Sequence, residues 1–327
     1  MDQKTDCLIS IVIPVKNGSK TLNQCLHSIF KQENLRISEV IVLDSNSSDD
    51  SIEIATSYGA RVIHVNSAEF NHGLTRNLGV KYAFGDLVYF TVQDAALSDV
   101  NHLEKMISHF NDEEVQAVVG IQGYEHEKNI NPALWFKRFD EPVLETRYYP
   151  NNGFEVLSAN EQFELSNWDN VNAMYRKSAL LELPFVETNY CEDWIWANQA
   201  LTAGKKLLRD PSILVYHYHH MTFGYTLKSK FIINYYFYLF FKQSPRIPSS
   251  LCPFLRRTYT LFVRRKELSI QKRLFWLAHN VMYFLANFLS LFLFRLFLVI
   301  GKKRGLDFLY QLLCNEIPQG KTNRNNK

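Results

Sequence analysis

The chain lacks the features that announce the commonest nucleotide, metal and disulfide chemistries. Its five cysteines (Cys7, Cys25, Cys191, Cys252, Cys314) are odd in number and never form a C-x-x-C pair. That argues against a zinc ribbon or a disulfide framework and suits a reducing compartment. No G-x-G-x-x-G or Walker sequence follows the first strand-like run, which ends Pro14-Val15-Lys16-Asn17-Gly18, so ordinary dinucleotide and P-loop binding are not expected. Charge is scarce: Asp, Glu, Lys and Arg make up 21% of the 327 residues and leave a net +3, too little for a general nucleic-acid binder. The N-terminal MDQKTDCLIS carries two acids and has neither a basic n-region nor an apolar h-region. No secretory signal is expected there, and the protein is placed in the cytosol or on its membrane face.

Hydrophobic residues reach 46%, with 24 Phe and 17 Tyr, ample for a core. From Leu8 to about Asp94, β-branched runs (LISIVIP, EVIVLD, RVIHV, DLVYFTV) alternate with helix-like stretches (Lys20 to Gln32, a segment opening at Ser48 to Ser51, Leu74 to Phe84). Continuous apolar strands separated by helices predict a doubly wound α/β sheet covered on both faces, with ligands at the carboxyl ends of its strands. From Val115 to about His220, further short strands (QAVVG, VNAMY, SILVYH) and a helix over Glu192 to Thr202 continue a mixed sheet. The expected division is a catalytic domain over residues 1–225 and an aromatic, basic, helical region over 226–327. The tail KTNRNNK reads as disordered.

Three clusters could carry chemistry. Asp44 ends the second strand and opens the run Asp44-Ser-Asn-Ser-Ser-Asp-Asp-Ser51. Ser48 or Asp49 suits a helix N-cap there, whereas Asp44 is placed too early and can face a ligand over the sheet edge. Glu69 to Ala95 reads EFNHGLTRNLGVKYAFGDLVYFTVQDA. Cys191-Glu192-Asp193-Trp194-Ile195-Trp196 opens a helix, where the two acids are either dipole complements or an acid–base pair. Trp194 and Trp196 are either a sugar-stacking surface or core.

The string G-x-x-R-N-x-G, followed by a helix, Gly-Asp, an apolar strand and a terminal Asp, resembles glycosyltransferase family 2. The opening strands and the Glu-Asp pair fall in the same order across Leu8 to His220. FNHGLTRN with QDA, and later VYHYHH, is most similar to the bacterial rhamnosyltransferase-like branch. The resemblance implies a GT-A fold and an inverting transfer from a nucleoside-diphosphate sugar, rhamnose being one candidate, to a glycan or lipid-linked acceptor in surface polysaccharide synthesis. The same chemistry on a different donor sugar, or a non-catalytic sugar-nucleotide-binding protein, would share these features.

On the matching positions, Asp44 becomes the base-binding acid, Pro14 and Asn17 border the nucleotide, and Arg76, Asn77, Gln93 and Asp94 lie along the sugar nucleotide. Arg76 either faces the diphosphate or is a surface helix residue. Where the family has Asp-x-Asp, this chain has Val92-Gln93-Asp94, so the first acid is missing. A divalent cation, Mg or Mn, would then rest on Asp94, with His217 as a further ligand or phosphate contact and His219 and His220 nearby. The same histidines could instead belong to a Tyr-rich core edge. Asp193 is the expected general base, with Glu192 second.

The span Leu274 to Phe294 contains no Asp, Glu, Lys or Arg and is about long enough to cross a bilayer. Lys272-Arg273 precede it, and Arg295 with Lys302-Lys303-Arg304 follow it. Basic residues on both flanks favour an in-plane or hairpin-like attachment over a crossing. The expectation is a peripheral or monotopic protein on the cytoplasmic face of a bacterial inner membrane, attached through roughly Phe231 to Leu313 with Trp276 among the buried anchors. A hydrophobic helix packed on the catalytic domain is the alternative.

Overall fold

Four apolar runs pair in parallel because each carries apolar side chains on both faces. They are β1 (Ile9–Val15), β2 (Ile37–Asp44), β3 (Arg61–His64) and β4 (Leu87–Phe90). In this computed structural model, residues 8–33, 37–66, 70–124, 131, 143–219, 221–245 and 251–314 are described. The remaining strands are β5 (Ala96–Leu97), β6 (Val115–Gly123), β7 (Glu145–Arg147), β8 (Ala173–Arg176) and β9 (Lys206–Tyr216). The sheet runs β3-β2-β1-β4-β8-β6-β9-β5, with β7 on β9. β8 is antiparallel to both β4 and β6, and β6 is parallel to β9. The carboxyl ends of β1, β2, β4, β6 and β9 and the amino end of β8 therefore share one edge.

Helices cover both faces. On one side α1 (Leu22–Phe30), α2 (Ser51–Ser57) and α4 (His102–Ser108) bury Leu22, Leu26, Ala55, Leu103 and Met106 against Ile9, Ile11 and Ile13. On the other, α3 (His72–Tyr82), α6 (Lys177–Glu182) and α7 (Glu192–Thr202) pack Val80, Leu180, Trp196 and Leu201 against Val12, Leu43, Val88 and Phe90. A further helix, α5 (Ala159–Leu165), begins with a Ser158–Glu161 capping box.

The third helix starts two residues before the sequence reading places it, because Asn71 caps it: its side-chain oxygen accepts the Leu74 N–H at 3.1 Å. The first is two residues shorter at each end than Lys20 to Gln32. At α2, Asp50 holds the N-cap position without a side-chain cap bond. Asp49 instead accepts the N–H groups of Ser51 and Ser19 at 3.2 and 3.0 Å, tying the turn after β2 to the one after β1. The α7 boundaries are those the sequence predicts, and the chain turns through Gly204 at φ 69°.

The described residues form two compact units, one up to 123 with 143–218, the other holding 124, 131 and those from 219 onward. The second unit contains α8 (Phe223–Phe241), α9 (Leu251–Tyr259) and α10 (Ile270–Cys314). Rings of Tyr235 and Tyr310 stack at 4.5 Å, and the Tyr235 hydroxyl donates to Asp307 at 2.7 Å, joining α8 to α10. Asn131 donates to Asn280 at 2.7 Å. The α10 backbone breaks at Lys302, φ 50° and ψ −139°. The KTNRNNK tail and His220 lie outside the described residues.

Candidate active site

The shared sheet edge collects polar residues from segments far apart in sequence. After β1, the loop is held on two sides. Asn17, at φ 49°, accepts the Ser48 N–H at 2.8 Å and donates its own N–H to Ser47 at 2.9 Å. Gln93 pairs with the Lys16 backbone, accepting its N–H at 2.8 Å and donating to its carbonyl at 3.2 Å. Gln93 is thus a brace for the loop after β1, beside the half-buried Pro14 in β1. Asp44 is fully buried. Its carboxylate accepts the Ser47 N–H at 3.2 Å and lies 3.5 Å from His64 Nδ1, which leaves acceptor capacity on both oxygens.

The G-x-x-R-N-x-G string docks α3 onto the segment leading into α7. Gly73 is needed because a Cβ there would meet the Val186 carbonyl oxygen at 2.0 Å. Asn77 donates to the Phe185 carbonyl at 2.8 Å and accepts the Phe185 N–H at 3.0 Å, so its amide braces this junction. Arg76 is 6% exposed, and its guanidinium is 2.8 Å from Glu192 Oε1. The surface-helix alternative for Arg76 is therefore excluded. A buried cation requires a counter-ion, and the guanidinium is committed to the carboxylate at the start of α7.

Cys191, in the left-handed region at φ 65°, turns the chain into α7 and brings Glu192 and Asp193 to the sheet edge. Burial raises the affinity of Glu192 for a proton, but Arg76, His72 and the Asn170 amide outweigh it and hold this carboxyl below its usual range. Asp193 is pushed well above that range by burial, then by the charges of Glu192 and Asp169. The two neighbouring carboxyls are thus pushed in opposite directions, Glu192 towards its ionised form and Asp193 towards a higher proton affinity. Trp194 and Trp196 are core residues: Trp196 packs with Tyr175 at 4.8 Å, and Trp194 with Phe163 at 5.1 Å.

Across the edge, His217 Nε2 is 3.3 Å from Asp94 Oδ1, and its Nδ1 is 2.8 Å from Gln122 Oε1. The Gln122 amide nitrogen donates to Asp169. A carboxylate only accepts, so Gln122 turns its oxygen to His217, and the proton of the ring sits on Nδ1. His217 Nε2 then faces Asp94, so a nitrogen and a carboxylate oxygen, both able to ligate a cation, stand side by side. An imidazole nitrogen and one carboxylate fit a cation such as Mn better than Mg.

Gln122, Asp169 and Asn170 were missed by sequence reasoning. Asn170 donates its backbone N–H to Asp193 at 3.1 Å and its side-chain amide to Glu192 at 3.2 Å. Asp169 accepts from Val171 at 3.0 Å and from Gln122, so it lies between the His217 and Asp193 ends of the site. Only their place before β8 and at the end of β6 marks them, and no local motif does.

Comparison with known proteins agrees with this geometry. The profile of "Glycosyl transferase family 2" matches residues 10–183. O-antigen chain rhamnosyltransferase WbaN of Salmonella anatum is 34% identical over 217 residues, 65% of this chain and 67% of its own. O-antigen chain rhamnosyltransferase RfbN of Salmonella typhimurium is 30% identical over 218 residues, with the same two shares. Among solved structures, mannosyltransferase PcManGT from Pyrobaculum calidifontis in complex with GDP-Man and Mn2+ aligns with TM-score 0.53 at 14% identity, over 93% of this chain and 83% of that one. S. aureus TarS 1-349 in complex with UDP-GlcNAc gives 0.52 at 14% identity, over 97% and 93%. Matched over more than half its length, and built on the GT-A arrangement its motifs imply, the chain belongs to glycosyltransferase family 2 and is a glycosyltransferase.

Proposed function

We propose that this glycosyltransferase moves rhamnose from a nucleoside diphosphate to a glycan or lipid-linked acceptor, with inversion, in surface polysaccharide synthesis of the O-antigen type. The observation that carries the reading is the separation of two centres on one sheet edge: the Asp94–His217 pair, 3.3 Å apart, and the Glu192–Asp193 pair held by Asn170. The relatedness to two O-antigen chain rhamnosyltransferases supports the donor and the pathway class. Asp44 accepts a hydrogen bond from the base, with Pro14 and Asn17 bordering the nucleotide. Asp94 and His217 would hold a divalent cation, which when bound neutralises the diphosphate. Asp193, with its raised proton affinity, takes the proton of the acceptor hydroxyl as that oxygen attacks the anomeric carbon from the face opposite the diphosphate. Glu192 remains charged against Arg76 and strengthens Asp193 as a base.

The test is turnover with a panel of nucleoside-diphosphate sugars and a lipid-linked glycan acceptor, read as nucleoside diphosphate released. Rhamnose donors should give the highest kcat/KM. A different preferred sugar would overturn the donor assignment, and binding without turnover would mark a non-catalytic binder. Asp44→Asn should weaken nucleotide diphosphate binding about tenfold by calorimetry, the loss of roughly one charged hydrogen bond. Unchanged affinity in a folded variant removes Asp44 from the site.

The second unit supplies the attachment to the cytoplasmic face of the membrane. Between residues 226 and 314 there are fifteen Lys and Arg against two acids, in a chain of net charge +3, so this region is strongly basic and the remainder acidic. Along α10, Leu274, Val281, Leu285, Phe288, Phe292 and Val299 are exposed on one helical stripe, with basic residues at both ends. Trp276, expected among the anchors, is only 6% exposed and faces inward, whereas Phe275 is 63% exposed. A basic, apolar face of this kind lies in the plane of an anionic surface. Phe288→Asp should abolish co-sedimentation with anionic vesicles at low salt while leaving nucleotide binding intact. Equal sedimentation of wild type and variant would exclude the α10 stripe as the contact.

A further inference from the structure

A buried polar chain runs from the aromatic core to the Glu192–Asp193 pair, and no step of the reaction above uses its far end. The Trp168 indole N–H donates to the Tyr175 hydroxyl at 2.8 Å, and that hydroxyl donates to Asn170 Oδ1 at 2.6 Å. Asn170 then donates through Nδ2 to Glu192 Oε1 at 3.2 Å. The three side chains are 4%, 0% and 1% exposed. Three polar groups so deep in a protein are costly unless each is satisfied, and here each is satisfied in one direction only.

The direction follows from the first member. An indole nitrogen can only donate, so the Tyr175 oxygen must accept from Trp168, and its own proton must go elsewhere. The acceptor it meets is the carbonyl oxygen of the Asn170 amide. That choice turns the amide nitrogen toward Glu192, which therefore has to accept. Asn170 and the Arg76 guanidinium, at 2.8 Å, both donate to Glu192 Oε1, and this cation and amide donor together favour the ionised carboxyl. The same residue, through its backbone N–H, fixes the orientation of Asp193 at 3.1 Å.

We infer that Trp168, Tyr175 and Asn170 form a directional positioning relay that assigns the two acids their different roles, Glu192 as permanent anion and Asp193 as the group that takes the acceptor's proton. The inference rests on the proposed base chemistry but concerns how this chain selects between two adjacent carboxyls. With the relay intact, the negative charge on Glu192 raises the proton affinity of Asp193. The other charged or titratable groups acting on the pair are Arg76 and His72 from α3, Asp169 before β8, Tyr175 in β8, and Cys191 at the start of α7. If the Asn170 amide were free to turn over, it would present its oxygen to Glu192. Glu192 would then be favoured as the protonated partner, and Asp193 would lose the neighbouring charge that makes it the stronger base.

Tyr175→Phe removes only the hydroxyl that carries the direction, and Trp168→Phe/Tyr175→Phe removes the donor and its acceptor together, so no buried N–H is stranded in the double variant. Carbon-detected NMR of the full chain labelled at Asp and Glu carboxyls, assigned with Glu192→Gln and Asp193→Asn, reads both titrations without any substrate. In wild type, Glu192 should titrate below Asp193. In both relay variants, the Glu192 midpoint should rise and the Asp193 midpoint should fall by about one pH unit, the scale of a neighbouring charge. With the donor found by turnover, kcat should fall about tenfold with the donor KM unchanged, and the acid limb of the rate profile should move to lower pH by the same amount. Midpoints unchanged in folded variants would overturn the inference, as would a loss of donor affinity equal to the loss of kcat. Failure of every nucleotide sugar to turn over would count against the proposed function alone, because the titrations stand without it.

Discussion

Asp193→Asn lowers turnover by about two to four orders of magnitude, the usual contribution of a general base, while donor affinity stays near that of the wild type. The expectation follows from the unequal environments of two adjacent acids. Glu192 is neutralised by Arg76 at 2.8 Å, whereas Asp193 has no cation at that distance among the described residues and is pushed up by burial and by its acidic neighbours. An amide at position 193 still fits the pocket but cannot take a proton. Steady-state kinetics with calorimetric donor binding separates the effects: a fall in kcat with unchanged affinity identifies the base. Retention of full turnover, with Glu192→Gln inactive, would reverse the assignment within the pair.

Arg76→Gln acts on stability. Removing one member of a buried ion pair leaves the other charge uncompensated, at a cost of about 3 kcal/mol at neutral pH. In the wild type the folded-state proton affinity of Glu192 is below its unfolded value. Its contribution is therefore complete above the unfolded pKa, about 4.3, and is lost as pH falls through the lower folded value. In the variant the burial that opposes ionisation is no longer offset, and the folded value moves above the unfolded one. The variant should be less stable than wild type at pH 7 and recover as the pH falls toward 5, while the wild type gains nothing over that interval from this group. Urea denaturation at several pH values measures both slopes. A constant difference between the two proteins across that range would show that Glu192 is not the partner that matters.

Much of the site could be read from the sequence because its pieces are local. Asp44 follows an apolar strand, Asp94 follows another, and Glu192 and Asp193 open a helix whose end is marked by Gly204. The G-x-x-R-N-x-G string was legible as a unit, but its physical work was not. Arg76 and Asn77 bind Glu192 and Phe185, more than a hundred residues away, and no spacing rule connects them. Gln122, Asp169 and Asn170 were invisible for a related reason. They reach the edge only because β8 runs antiparallel between β4 and β6, bringing its amino end beside their carboxyl ends. Gln93 shows the converse: it stands in an acidic motif yet serves the Lys16 backbone. In the second unit, composition announced the long apolar helix, but the inward turn of Trp276 and the outward turn of Phe275 depend on helical phase against neighbours that sequence does not identify.

The proposed roles, Asp94 with His217 for the cation and Asp193 for the acceptor's proton, predict single displacement at the anomeric carbon. Proton NMR of the glycosylated acceptor, followed from the first turnovers against the anomeric signal of the donor, reads that outcome directly. The account predicts a product of opposite anomeric configuration to the donor, with Asp193→Asn forming none at comparable enzyme concentration. A product of retained configuration would contradict it.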